Sequence, residues 1–323
     1  MHICKRKMIA ALLTCGVLAV NATFAADGSL DSPADAPSAR PRLIVRADDM
    51  GFCHAANMAF KRILEEGVCT SVSVMVTTPW LDEAVAILRD HPDVSVGVHL
   101  TLNSEWREYR WGPVLPYSEV PSLVDAQGKF FGTRSAFMAN HPKPDEVARE
   151  LRAQIELARS KGLPISYVDY HMGTAVSTRE FQEIVEQLAK EYELGMSRYF
   201  GETDAPSVYR ATPDQKLAAG LEIVRGLHEP KLYLFVVHPG RDVPEMQAMT
   251  DLNDGGLEDM AAHRQAEADL LCSAEFKRAI EEGNIDLVGY SDLKSAGLDQ
   301  MKRPWLADSY ATVQAQTAET AKP

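Results

Sequence analysis

Cysteine is scarce in this chain. Only five of 323 residues are Cys, and two of them, Cys4 and Cys15, fall within the first 25. The remaining three, Cys53, Cys69 and Cys272, are odd in number and widely spaced. That pattern describes neither a disulfide framework nor a Cys-rich zinc site, and free thiols are expected. Long apolar runs are missing after residue 20, so no later segment can span a bilayer as a helix, and stable membrane insertion is excluded. Positive charge is also short, with 33 Lys and Arg against 46 Asp and Glu and a formal net charge of −13. So acidic a surface repels phosphate backbones, which removes nucleic acid from the partners to consider. No internal repeat or low-complexity stretch interrupts the body of the chain.

What the N-terminus does contain is a leader. Lys5, Arg6 and Lys7 precede an apolar run over 8–20, and Thr23-Phe24-Ala25 offers small residues for cleavage after Ala25. Residues 1–25 therefore read as a secretory signal peptide, and export to the periplasm or medium is expected. Thr14 before Cys15 is a poor match to a lipoprotein site. Cleavage would remove three basic residues and no acidic ones, taking the charge from −13 to −16. Residues 26–41, rich in Ala, Asp, Ser and Pro, are expected to be a flexible leader, and 307–323 a polar tail.

Between them, over 42–306, strand-like and helix-like segments alternate. Strands are expected at 43–47, 69–77, 95–100, 165–170, 195–198, 231–237 and 285–288. Helices are expected at 55–66, 81–89, 144–161, 178–192 (capped by Ser177), 213–226, 257–271 and 274–282. About seven parallel strands with crossover helices give either a barrel or a doubly wound sheet. A distorted (β/α) barrel in a single domain is favoured, because the conspicuous polar residues recur at strand C-terminal ends, where such a barrel carries its site. The stretch 103–143 lacks periodicity and holds Trp106, Tyr109, Trp111 and Tyr117, which marks a functional loop.

Those polar residues are Asp48 and Asp49 after the first strand, His99 near the end of the third, His171 after the fourth and His238 after the sixth. Paired carboxylates at the end of a buried strand are costly unless a cation or a proton transfer occupies them. Neighbouring strand residues face opposite ways, so both aspartates reach one pocket only if Met50-Gly51 breaks the strand. The alternative is that one of them simply caps the next helix. Each histidine alone fits a core or turn residue. Together, one carboxylate and two imidazoles compose a three-ligand metal site with positions left for water and substrate. Asp169, on the same strand face as His171, suits the orienting partner of a ligand histidine. Arg46, two residues before Asp48, can face the same side and keep that carboxylate ionised.

The segments ADDMG, GVCTSVSVMV, VGVHLTLNSEW, VDYHMG and VVHPG, in that order, resemble the YdjC/ChbG-type carbohydrate deacetylases. So does the late stretch HRQAEADLLCSAEFKRAIEEGNIDLVGYSDL, and the resemblance covers 43–293. It implies a distorted (β/α) barrel that removes acetyl groups from N-acetylated amino sugars with one divalent metal ion. By position, Asp49, His99 and His171 would bind the metal, Asp48 would be the general base and His238 the general acid. Zinc or magnesium is expected first, with nickel, cobalt and manganese also compatible with such donors. Many members carry further histidines soon after the third ligand, where this chain has Met172-Gly173-Thr174, so its substrate pocket is expected to differ. Arg46, Trp106 and Trp111 are candidate substrate-binding residues, and Trp80 a further stacking surface. The expected partner is an N-acetylated sugar, with a homodimer left open. Rival readings are a non-catalytic carbohydrate-binding barrel, and a glycosidase pairing Asp48 with a second carboxylate that the sequence does not single out.

Overall fold

The computed structural model describes residues 39–304. The expected signal peptide over 1–25, the leader up to residue 38 and the tail over 307–323 lie outside them. The strands are β1 (Arg42–Met50), β2 (Ser71–Val74), β3 (Ser95–Leu100), β4 (Ile165–Tyr170), β5 (Gly195–Met196), β6 (Thr203–Asp204), β7 (Leu232–Val237) and β8 (Asp286–Leu287). The helices are α1 (His54–Glu66), α2 (Leu81–Arg89), α3 (Arg134–Ala139), α4 (Pro144–Ser160), α5 (Arg179–Glu191), α6 (Lys216–Arg225), α7 (Pro244–Gln247), α8 (Met260–Cys272), α9 (Ala274–Glu282) and α10 (Tyr290–Ala296). Every strand pairing is parallel, in the order β5-β4-β3-β2-β1-β7-β6, with β8 against the start of β1. The sheet curls into a half-barrel wrapped by helices, one α/β domain of the kind the alternation predicts.

Period-two patterning sorts the strands' side chains. Leu43, Val45, Ala47, Val72, Val74, Val96, Val98 and Leu100 face outward and join the main core with the apolar stripes of the helices. Ile44, Tyr167, Leu232 and Leu234 face inward and meet Tyr290 and Leu293 of α10 in a small second core. The inner positions of β2 and β3 are Ser71, Ser73, Ser95 and Gly97, and their small size leaves room for two tyrosines. Tyr167 stacks on Tyr290 with centroids 4.1 Å apart, and a Cβ at Gly97 would lie 2.3 Å from the Tyr167 ring.

Several boundaries differ from the sequence-based expectation. The second strand is confined to β2, and β6 is an additional strand of two residues that pairs with β7. The 103–143 loop contains α3, and the stretch after β8 continues into α10. Thr178, not Ser177, caps α5, its hydroxyl accepting from the Phe181 N–H at 3.1 Å. Cys53, Cys69 and Cys272 are free thiols, the first buried and the others half-buried. No described helix is long and apolar enough to cross a membrane.

Candidate metal centre and catalytic cavity

The C-terminal ends of β1, β3, β4 and β7 open onto a cavity of about 430 Å³ lined by Asp48, Asp49, His99, His171, His238 and Arg264 among others. Both aspartates reach it because the backbone turns at Asp49 itself, whose φ is +78°, one residue earlier than the expected break. Pairing with β2 shifts register between Ala47 and Met50. Aspartate tolerates this left-handed region better than most residues, and Gly51 at φ +99° completes the turn. Neither aspartate caps α1. That role falls to Cys53, whose Sγ accepts from the Ala56 N–H at 3.3 Å. The carboxylates are thereby left to the cavity.

Asp49, His99 and His171 converge, with ligand atoms all within 4.8 Å of one another. His99 Nε2 lies 3.3 Å and His171 Nδ1 3.2 Å from the same atom, Asp49 Oδ1. That oxygen is buried and has no hydrogen-bond partner. The far nitrogen of each ring is engaged by a carboxylate: His99 Nδ1 donates to Asp169 Oδ1 at 2.9 Å, and His171 Nε2 to Glu105 Oε2 at 2.9 Å. These bonds fix the tautomers so that the free nitrogens point at one spot, as outer partners do for metal-binding histidines. Asp169 thus orients His99, its register partner across β3 and β4, rather than His171 just beyond the end of its own strand.

Charge balance points the same way. Asp48, Asp49, Glu105 and Asp169 are four buried carboxylates, against two buried guanidiniums, Arg46 and Arg264. Two more positive charges are needed, and either two protonated imidazoles or one divalent cation provides them. Burial opposes charge on Asp49, yet Arg264 and the two imidazoles hold its carboxyl well below the usual range. Burial likewise opposes a charged His99, but Asp169 and Asp48 hold it well above its ordinary value. His171 is raised to about 9, with Glu105 and Asp49 outweighing burial. An orphaned oxygen, two aimed imidazoles and a deficit of two charges fit a divalent ion.

Asp48 sits beside this cluster under a bidentate grip. Arg46 Nε donates to its Oδ1 and Nη2 to its Oδ2, both at 2.7 Å. Arg46 also reaches Ser197 Oγ at 2.6 Å and Asp169 Oδ2 at 3.3 Å. Below, Ser73 Oγ donates to Asp169 Oδ2 at 2.9 Å and Tyr290 Oη pairs with Ser197 Oγ at 2.8 Å. A buried network so fully paired holds its members rigidly. Arg46 lines the cavity with its donors directed at Asp48, Asp169 and Ser197.

His238 is half-buried on the cavity wall, its ring edge-on to Tyr209 at 6.2 Å. Trp106 lines the cavity, but Trp111 lines a separate one of about 650 Å³, donating its indole N–H to the Asn103 carbonyl at 2.9 Å. Trp111 still touches the centre, edge-on to the His171 ring at 6.2 Å. Trp80 packs on His54 at 5.1 Å, away from the cavity walls.

Three residues beyond those foreseen belong to the site. Arg264 Nη2 donates to Asp49 Oδ2 at 2.7 Å, its guanidinium lying over the Phe52 and Trp106 rings at 5.1 and 5.7 Å. Glu105 orients His171, and Asp251 lines the cavity on a loop bridged to Trp106. A signal for Arg264 was present, since it shares a face of α8 with Ala261, Ala268 and Leu271, where charge is out of place. Glu105 lies inside the VGVHLTLNSEW segment.

The YdjC-like protein family model matches residues 42–282. A carbohydrate deacetylase of Brevibacillus brevis is 30% identical over 265 residues, covering 78% of this chain and 99% of that protein. One from Enterococcus faecalis is 29% identical over 267 residues, with 78% and 98% covered. The crystal structure of an Enterococcus faecalis protein named for cellobiose-phosphate cleavage superposes with a TM-score of 0.67 at 26% identity, covering 79% of this chain and 99% of that one.

Proposed function

The chain belongs to the YdjC-like protein family, and from that premise we propose that it is a metal-dependent hydrolase removing acetyl groups from N-acetylated amino sugars. The observation that carries the reading is the convergence of Asp49, His99 and His171 on one buried spot, with Asp48 and His238 on the walls of the same cavity. The deacetylase names of the relatives support the reaction class.

Asp49, His99 and His171 would hold the ion, and their one carboxylate and two imidazoles favour zinc, with magnesium next. Such an ion supplies Lewis acidity, which polarises an acetamide carbonyl and acidifies water at neutral pH. The residues do the rest. An amide is a poor electrophile with a poor leaving group, so help is needed at both ends. Asp48, held in place by Arg46, accepts the proton of the water that attacks the carbonyl carbon. His238 donates a ring proton to the departing nitrogen as the C–N bond breaks, a step worth roughly 10²–10⁴-fold. The products are acetate and a free amine. Trp106, and Trp111 through the His171 side, are the proposed sugar contacts, with Arg46 acting through Asp48. Export is part of the proposal on the strength of the leader alone.

The test is acetate release from a panel of N-acetylated sugars, by untreated, chelated and zinc-reconstituted protein. Release that chelation abolishes and zinc restores supports the reading. Saturable sugar binding with no acetate from any sugar supports a non-catalytic barrel instead.

A further inference from the structure

Behind His238 lies a buried ion pair that the chemistry above does not use. Lys216 of α6 is fully buried, and its Nζ donates to Glu267 Oε1 at 2.7 Å and to the carbonyls of Val208 at 3.0 Å and Tyr209 at 3.2 Å. The other oxygen of Glu267, Oε2, accepts the backbone N–H of His238 at 2.6 Å. Tyr209, whose carbonyl the same ammonium holds, sets its ring against that of His238. One turn away on α8, the Arg264 carbonyl accepts the Gly240 N–H at 3.1 Å, so the helix grips the His-Pro-Gly turn at two points. A buried ammonium with three acceptors, and a buried carboxylate shared between it and one backbone N–H, form a closed unit with His238 at its edge.

We infer that Glu267, itself held by Lys216, is a positioning residue for His238: its Oε2 locks the backbone N–H beneath the imidazole. The inference rests on the proton-donor role proposed for His238. A ring displaced by about 1 Å from its working position costs on the order of a hundredfold in rate. The two ends of the pair tie together α6, α8, the Tyr209 segment and the end of β7.

Two double variants isolate the contact to His238. Both K216M/E267Q and K216M/E267L remove the buried charges, but only the first keeps an oxygen for the His238 N–H. K216M/E267Q is expected to hold kcat within about tenfold of wild type, and K216M/E267L to fall about a hundredfold further at unchanged KM and zinc affinity. In histidine-labelled protein the His238 imidazole resonance, assigned with His238→Gln, should stay single and sharp in the first and broaden or split in the second. Equal kcat and equal His238 signals in the two variants overturn the inference, as does a loss confined to KM. If wild type itself releases no acetate, the deacetylase reading fails on its own, while the resonance comparison still decides the positioning. Should K216M/E267L not fold, Glu267→Gln alone replaces it, with Lys216 and the His238 N–H then competing for one amide oxygen, and the same contrast is required.

Discussion

Arg264 holds one oxygen of Asp49 at 2.7 Å and leaves the other, Oδ1, to face the two imidazoles without a hydrogen bond. The guanidinium therefore does more than neutralise. It fixes the carboxylate's rotation so that a single oxygen faces the two imidazoles, and the aromatic faces of Phe52 and Trp106 fix the guanidinium in turn. Arg264→Gln is expected to weaken zinc binding about 10–100-fold, measured by calorimetric titration of the metal-free protein. Unchanged affinity would show that Asp49 needs no such support.

Asp48 and Asp169 should separate cleanly in the same titration. Asp169→Ala removes the acceptor that sets the His99 tautomer, and an affinity loss of about 10–100-fold is expected. Asp48→Asn leaves the three donor atoms untouched. Zinc should bind nearly as in wild type while acetate release falls by roughly 10²–10⁴-fold. Full turnover by Asp48→Asn would move the base elsewhere.

How much of this was legible beforehand follows from where each interaction lives. Asp49, His99, His171 and His238 stand out because each ends an apolar, β-branched run, and a barrel gathers strand ends at one rim. What could not be read is who meets whom across the sheet. The partner of Asp169 depends on the β3–β4 register, which sets it opposite His99 although His171 is nearer in sequence. Lys216 and Glu267 sit on helices, where a charge ordinarily marks the solvent side, and only packing reveals that theirs is the buried one, whereas Arg264 stands on an otherwise apolar face. The break in β1 falls at Asp49, one residue before the Met50-Gly51 pair whose chain-breaking propensity the sequence displays.

Away from the site, Glu150 of α4 makes stability depend on pH. Burial pushes its carboxyl up to about 7 from an ordinary 4.5, although Gln154 and the Val114 and Leu115 N–H groups pull the other way. Below 4.5 both folded and unfolded chains keep the proton. As pH rises the unfolded chain ionises first, so stability present at low pH is lost by the time pH passes about 7. The loss is on the order of 3 kcal/mol. Urea unfolding of wild type and Glu150→Gln at pH 5 and pH 8 checks it: wild type should lose ground to the variant on going up. Parallel changes would remove Glu150 as the cause.

The inner packing makes Gly97 specific. A methyl there would enter the Tyr167 ring, which Tyr290 and Ser73 hold from the other sides. Gly97→Ala should cost about 1–3 kcal/mol in denaturant unfolding, as overpacking in a filled core does. An unchanged midpoint would mean the two tyrosines can shift together.

The central claim concerns a single location, and anomalous scattering from a zinc-soaked crystal addresses it without reference to activity. The account predicts one strong peak about 2.0–2.2 Å from Asp49 Oδ1, His99 Nε2 and His171 Nδ1. A crystal whose zinc lies elsewhere, or whose His99 and His171 rings turn away from Asp49 in the metal's presence, would contradict it.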